Sequence, residues 1–282
     1  MEIPVAIFLI LTASLFPLQA WRWSDNRRAA LLWRNLIRIT VAPPAVFDPA
    51  ILEGLPQPAR RYFLFTIAPG TPLSSAVEIE MEGEIRLGTR QHPNAMTMRA
   101  RQLLAAPHGL VWKLQARKGV IRISGSDGIG CGQSWTRFWL LGTIPVVRAG
   151  GGPDHMRSAF GRVIAEAVFF APSALLPRDG VTWEAVGDNV ARATVSCSGM
   201  TQSMDLTVGE DGRPAMVVIP RWSNANPEKT YRVQPFGGYP SEFRVFDGYT
   251  LPTRFEGGNW IGTEAYFPFY MARIKDVKLQ RA

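Results

Sequence analysis

Residues 77–87 alternate almost without fault, with Val77, Ile79, Met81, Ile85 and Leu87 on one face and Glu78, Glu80, Glu82, Glu84 and Arg86 on the other. That period of two predicts a half-buried strand. Its four Glu form a solvated row rather than a cation site, because side chains two residues apart project alike. Shorter runs of the same kind predict strands at 96–104, 110–117 and 120–124, then at 181–184, 191–197, 202–208 and 215–221, and last at 242–246, 251–255 and 272–279. Asp211-Gly212 and Asp247-Gly248 are hairpin signals between neighbours in that series.

The period turns helical in three places. Phe160, Val163, Ile164, Ala167, Val168 and Ala171 form a stripe that predicts a helix over 155–171, capped by Asp154 and ended by Pro172. Asp48-Pro49 is a helix start, and Pro58 opens a second short helix to Phe65. Within 26–39, Leu32, Leu36 and Ile39 are helically spaced while Arg27, Arg34 and Arg38 sit elsewhere on the wheel. This segment is either an interfacial helix or an amphipathic helix packed on the domain. The expected class is mainly β (α+β), an antiparallel meander with helices packed on it.

The first residues add a different element. Positions 3–21 carry no charge and are long enough to cross a bilayer core, and Arg22, Arg27, Arg28, Arg34 and Arg38 follow at once. A secretory signal is the competing reading. Glu2 in place of a basic leader, and Leu18-Gln19-Ala20 as a poor cleavage site, favour an uncleaved transmembrane anchor. All the nearby Lys/Arg lie after the span, which puts the main domain in the cytoplasm, the extracytoplasmic side being the alternative. The expected organisation is a transmembrane anchor at 1–21, a basic juxtamembrane helix and linker at 22–47, and a single β-rich domain at 48–282.

Composition narrows the partners. Of a net charge of +8, half comes from residues 21–40, and the rest is spread without a Lys/Arg block or an aromatic-basic motif. Nucleic acid is therefore not expected, and anionic lipid headgroups are. Cys131 and Cys197 are either one disulfide or two thiols, the reading as small core residues being favoured, and three scattered His (His92, His108, His155) offer no metal-ligand spacing. The run 125–132 (GSDGIGCG) lacks the Lys-Ser/Thr of a phosphate loop and a following helix, so it reads as a turn with a bulge, and no cofactor is expected. Residues 135–147 (WTRFWLLGTIPVV) are apolar enough to line a cavity, face a membrane or fill the core.

The segments 55–62 (LPQPARRY), 140–147 (LLGTIPVV), 165–177 (AEAVFFAPSALLP), 181–184 (VTWE) and 247–253 (DGYTLPT) together resemble a bacterial membrane-associated family known as a domain of unknown function. That resemblance implies neither a reaction nor catalytic residues. The strand, helix, strand order also resembles the periplasmic lipoprotein carriers, which implies a single large curved antiparallel sheet, or half-barrel, wrapped around helices. Three functions follow as expectations: binding of a lipidic or other apolar molecule, an assembly module for membrane proteins, or a hydrolase-type enzyme using Glu166 and Arg162. The first is favoured by the anchor and by 30 Phe, Trp and Tyr residues. Candidate ligand-binding residues are Arg61, Tyr62, Asp127, Arg162, Glu166 and Trp183, with Arg162 and Glu166 spaced to pair on one helix face.

Overall fold

The meander is present, and its strands run well past the alternating segments. The structure, a computed structural model, describes residues 2–39 and 45–281, with side chains described from residue 15 onward except at 75 and 281. Six strands come first: β1 (Ser74–Gly88), β2 (Pro93–Ala105), β3 (Gly109–Lys118), β4 (Ile121–Gly130), β5 (Gln133–Leu140) and β6 (Ile144–Gly150). Seven more follow: β7 (Val181–Gly187), β8 (Val190–Cys197), β9 (Met200–Val208), β10 (Pro214–Ser223), β11 (Arg232–Phe246), β12 (Tyr249–Asn259) and β13 (Phe267–Arg281). The helices are α1 (Glu2–Ile39), α2 (Gln57–Thr66) and α3 (Pro153–Phe170).

All thirteen strands make one sheet, in the order β6-β5-β4-β3-β2-β1-β13-β12-β11-β10-β9-β8-β7, with every pairing antiparallel. The two meanders therefore join where the first strand meets the last, and α3 connects the two outer edges. Register shifts at Glu80/Met81 and Gly257/Gly258 lie close to that join. Such bulges bend a strand and raise the local twist. The sheet wraps around α3, whose Phe160, Val163, Ile164, Ala167 and Val168 are buried against it, as their spacing predicts.

Two local expectations are corrected. Residues 125–130 are not a turn but the second half of β4. Gly125 pairs with Phe138 and Gly128 with Trp135 on β5, and a Cβ at these glycines would lie 2.7 Å from Phe138 Cδ1 and 2.4 Å from Trp135 Cζ2. The glycines are where two rings lie against the backbone of the neighbouring strand, a packing role that resembles loop chemistry only in composition. The cap of α3 is Gly152 rather than Asp154, since Pro153 already occupies the first helical position; Asp154 instead accepts a 2.7 Å hydrogen bond from Trp222 Nε1.

At the other helix start, Asp48 caps a 3-10 turn at Pro49–Leu52, its Oδ1 accepting from Ala50 N at 2.9 Å. Cys131 and Cys197 are free thiols: Cys131 is exposed and so not a core residue, whereas Cys197 is half-buried and packs at the edge of the main hydrophobic cluster. Cys131 sits in the turn after β4, where a small residue of positive φ is needed and packing is not.

The segment at 26–39 is the C-terminal part of the single helix α1, packed on the convex face of the sheet. Ala29, Leu32 and Leu36 are buried there with Ala76, Leu103, Val111 and Trp135. Its firmest tie is Asp25, which is 3% exposed. That carboxylate accepts from Trp139 Nε1 at 3.1 Å, from Arg137 Nη1 at 3.2 Å and from both terminal nitrogens of Arg148. Ile39, expected on the same stripe, is half exposed. Most of the expected span, residues 3–14, and the Ala42-Pro43-Pro44 linker lie outside the residues described at side-chain level. Among the described residues no helix is long and apolar enough to cross a membrane.

Candidate functional site

Between the concave face and α3 the sheet leaves a cavity of about 280 Å³. Its walls are apolar: Met81 and Ile85 of β1, Leu114 of β3, Phe138 of β5, Val146 and Val147 of β6, Phe169 and Phe170 of α3, and Phe236, Phe255 and Phe269 from the second meander. Two larger grooves, of about 1050 and 660 Å³, flank α1 on the convex face, but charged side chains such as Glu82, Arg99, Arg117, Arg122 and Lys275 line them and disfavour an apolar ligand there. The apolar cavity is the one whose shape and lining match a ligand site, a concave apolar space with a few convergent polar groups.

Those polar groups meet at one end of it. Arg162 Nε lies 2.6 Å from Glu166 Oε1, and Arg162 Nη1 lies 2.9 Å from Asp127 Oδ2 on β4. Gln102 of β2 closes the ring, donating to Glu166 and accepting from Arg162 at 3.4 Å. The guanidinium stands 5.0 Å above the Trp112 ring centroid. Burial pushes the Arg162 pKa down, yet the charges of Glu166 and Asp127 outweigh it and hold the group above its usual value. The opposite holds for Arg221, whose burial and the nearby charge of Arg162 bring it down to about 10. Its Nε and Asp127 Oδ1 are buried without a hydrogen-bond partner, and its guanidinium stands 4.5 Å from the Phe236 ring centroid. Asp127, Arg162 and Arg221 also border a second pocket of about 60 Å³, with Thr136 and His155 on its far side.

Of the six candidate residues, Asp127, Arg162 and Glu166 converge here and the other three do not. Arg61 points outward from α2 and holds the β7–β8 turn, its Nη2 donating to Asn189 Oδ1 at 2.7 Å. Tyr62 is fully buried, its hydroxyl donating to the Val168 carbonyl at 2.7 Å. Trp183 packs edge-on against Phe63 and tilted against Tyr62, and donates to Leu175 O at 2.8 Å. These three fasten α2 to α3 and β7, because an aromatic with one polar atom fills a core seam once that atom finds a carbonyl.

Four residues at this end were not among the sequence candidates: Gln102, Trp112, Arg221 and Tyr270 of β13, whose ring lies 6.1 Å from that of Trp112. Each sits on the inward parity of its strand: Arg221 follows Val217 and Ile219, and Gln102 lies between Ala100 and Leu104. A polar residue on the buried face of an alternating run was the available signal.

Fold and site together define a mainly β protein in which one curved antiparallel sheet encloses a helix and an apolar cavity with a charged floor. Residues 45–271 match the family DUF6544, a family of unknown function, and the chain belongs to it. A search of curated proteins finds no match.

Among solved structures the chain is similar to a LolA superfamily protein from Nitrosomonas europaea, at 14% identity and TM-score 0.41, covering 84% of this chain and 96% of that one. It is also similar to a putative outer membrane lipoprotein-sorting protein domain from Vibrio parahaemolyticus, at 12% identity and TM-score 0.39, covering 73% and 86%. A third, a DUF1329 family protein from Desulfovibrio piger, stands at 11% identity and TM-score 0.40, with the same coverage.

Proposed function

We propose that this chain is a membrane-tethered binding protein that holds a lipidic or other apolar molecule between the concave sheet and α3. The observation that carries the reading is the 280 Å³ cavity with its aromatic and aliphatic walls. At about 30 Å³ per water-sized group, such a space takes roughly nine carbon-sized groups, an acyl segment rather than a whole lipid. A cavity walled this way is unfavourable for water, since few lining atoms can replace its hydrogen bonds.

The charged floor favours binding over catalysis. Both carboxylates are engaged with Arg162, and the lining includes no Ser, Cys or His side chain among the described residues. The tether in this reading is the uncharged run at 3–21, the N-terminal half of α1, and the excess of Arg after it favours the cytoplasmic side for the folded domain.

Native mass spectrometry on the full chain released from lipid nanodiscs tests the reading. An added mass that matches a lipid or acyl compound supports it. The bare chain mass, persisting after incubation with total lipid extract, overturns it. Labelling of the exposed Cys131 by an impermeant maleimide in sealed right-side-out cells would overturn the cytoplasmic orientation.

A further inference from the structure

One end of the sheet, the end toward which the N-terminal part of α1 runs, carries a run of exposed apolar side chains. Three turns of the first meander, at 89–92, 119–120 and 141–143, lie at that end because consecutive hairpins alternate ends. The last of them is tied to the start of β4, just after the 119–120 turn: Leu141 N donates to Arg122 O at 2.8 Å. Val120 is 87% exposed and Leu141 59% exposed at their tips.

Apolar exposure continues inward from the tips. Ile121, Ile144, Val146 and Leu87 are all large, exposed and apolar, and Leu87, Val146 and Val147 also line the cavity. Arg117, Lys118 and Arg122 flank the tips and are exposed, and the chain has no acidic residue from 113 to 126 or from 137 to 150. The patch is thus apolar at its summit and basic at its shoulders.

Helix α1 gives this end its direction. Leu32 and Leu36 pack beside Gly130, at the far end of β4, whereas Gln19 Nε2 and Arg22 Nη1 both donate to the Gly142 carbonyl, each at 3.1 Å. The helix therefore runs along the sheet toward the apolar tips, and its backbone continues past them to Glu2 through the uncharged run. Trp21 and Trp23, exposed at the level of the 141–143 turn, stand where aromatic side chains mark a membrane interface.

We infer that the turns at 119–120 and 141–143 are a bilayer-contact surface, seated on anionic phospholipid, and that the cavity opens beside it. The inference rests on the anchor proposed above. Exposed Val120 and Leu141 enter the headgroup region while Arg117, Lys118 and Arg122 meet the anionic headgroups. The apolar rim of Leu87, Ile144 and Val146 then gives an acyl chain a path from bilayer to cavity that does not cross water.

Full-length chain in liposomes of phosphatidylcholine and phosphatidylglycerol tests this, with an environment-sensitive fluorophore on a single cysteine. Val120→Cys and Leu141→Cys are made with Cys131→Ser and Cys197→Ser. Cys131 itself, labelled in a Cys197→Ser chain, reports the far end, about 25 Å away along α1. Ser14→Cys reports the anchor. Nitroxide-bearing lipids should quench labels at 120, 141 and 14 and leave 131 bright, and exchanging phosphatidylglycerol for phosphatidylcholine should weaken quenching at 120 and 141. Quenching at 14 without quenching at 120 and 141 overturns the surface and leaves the anchor standing. No quenching at 14 either overturns both, and equal quenching at 131 overturns the orientation.

Discussion

Arg162 on α3 and Asp127 on β4, 35 residues apart in the chain, meet with Nη1 and Oδ2 at 2.9 Å, and this contact fixes the helix across the concave sheet at the floor of the cavity. Their side chains are 17% and 22% exposed, so the pair is neither a solvated surface bridge nor a sealed one. That intermediate burial sets the size of the effects expected from breaking it.

Glu166→Ala leaves Arg162 with Asp127 as its remaining carboxylate partner. The loss should be about 2–3 kcal/mol, above an exposed pair but below the 3–5 kcal/mol expected when a buried charge is left alone. Chemical unfolding of wild type and variant at neutral pH measures it. A loss under about 0.5 kcal/mol would mean that the floor contributes little to stability.

Asp25→Ala should be the more damaging change, by about 3–4 kcal/mol, because one nearly sealed carboxylate serves Arg137, Arg148 and the Trp139 indole at once. The same variant should loosen α1 from the sheet, read as faster amide exchange at 25–36 relative to β3. Unchanged exchange would show that Leu32 and Leu36 hold the helix without it.

Ala165→Phe places a ring into the cavity from α3, where Ala165 is 3% exposed. Filling the space should abolish the lipid adduct in native mass spectra while costing no more than about 1–3 kcal/mol in stability. An adduct of undiminished intensity in a folded variant would place the ligand elsewhere.

His155 and His108 both have pKa values lowered by burial, with Arg221 and Arg178 respectively opposing their charged forms and Asp127 partly offsetting this at His155. A base whose folded pKa lies below its unfolded value takes up its proton more readily when unfolded. Stability should therefore be full at pH 7.5 and fall as the pH drops through about 6.5, by up to about 1.4 kcal/mol per group and pH unit. Thermal melts at pH 7.5 and 5.5 check this, and His155→Gln should reduce the slope. An unaltered slope would assign the acid sensitivity to other groups.

The candidate site was half legible in the sequence. Arg162 and Glu166 lie four apart on a helix, so their pairing is local and readable from spacing. Asp127 was singled out, but within a glycine-rich run read as a turn, and only the aromatic partners across β5 show why glycine stands in a strand there. Tyr62 and Trp183 were expected near a ligand and instead fill a seam, since a buried aromatic hydroxyl or indole is satisfied equally well by a backbone carbonyl.

Local periods are legible in the sequence alone: alternation that makes Val77, Ile79 and Met81 one face, the stripe of α3, the hairpins at Asp211-Gly212 and Asp247-Gly248, and the uncharged run ahead of five arginines. These depend on neighbours within a few residues, and the chain geometry of a strand or helix translates them directly. The pairing of β1 with β13, the bridging of the two sheet edges by α3, the meeting of Asp127, Arg162 and Arg221 at one space and the hydrogen bonding of Gln102 to Arg162 and Glu166 arise only in the folded chain. Folding likewise turns Asp25 from a lone acid among basic residues into the clamp of α1. Such convergence depends on the coiling of the whole sheet, set by bulges, twist and packing summed over thirteen strands, and no segment read alone carries that information.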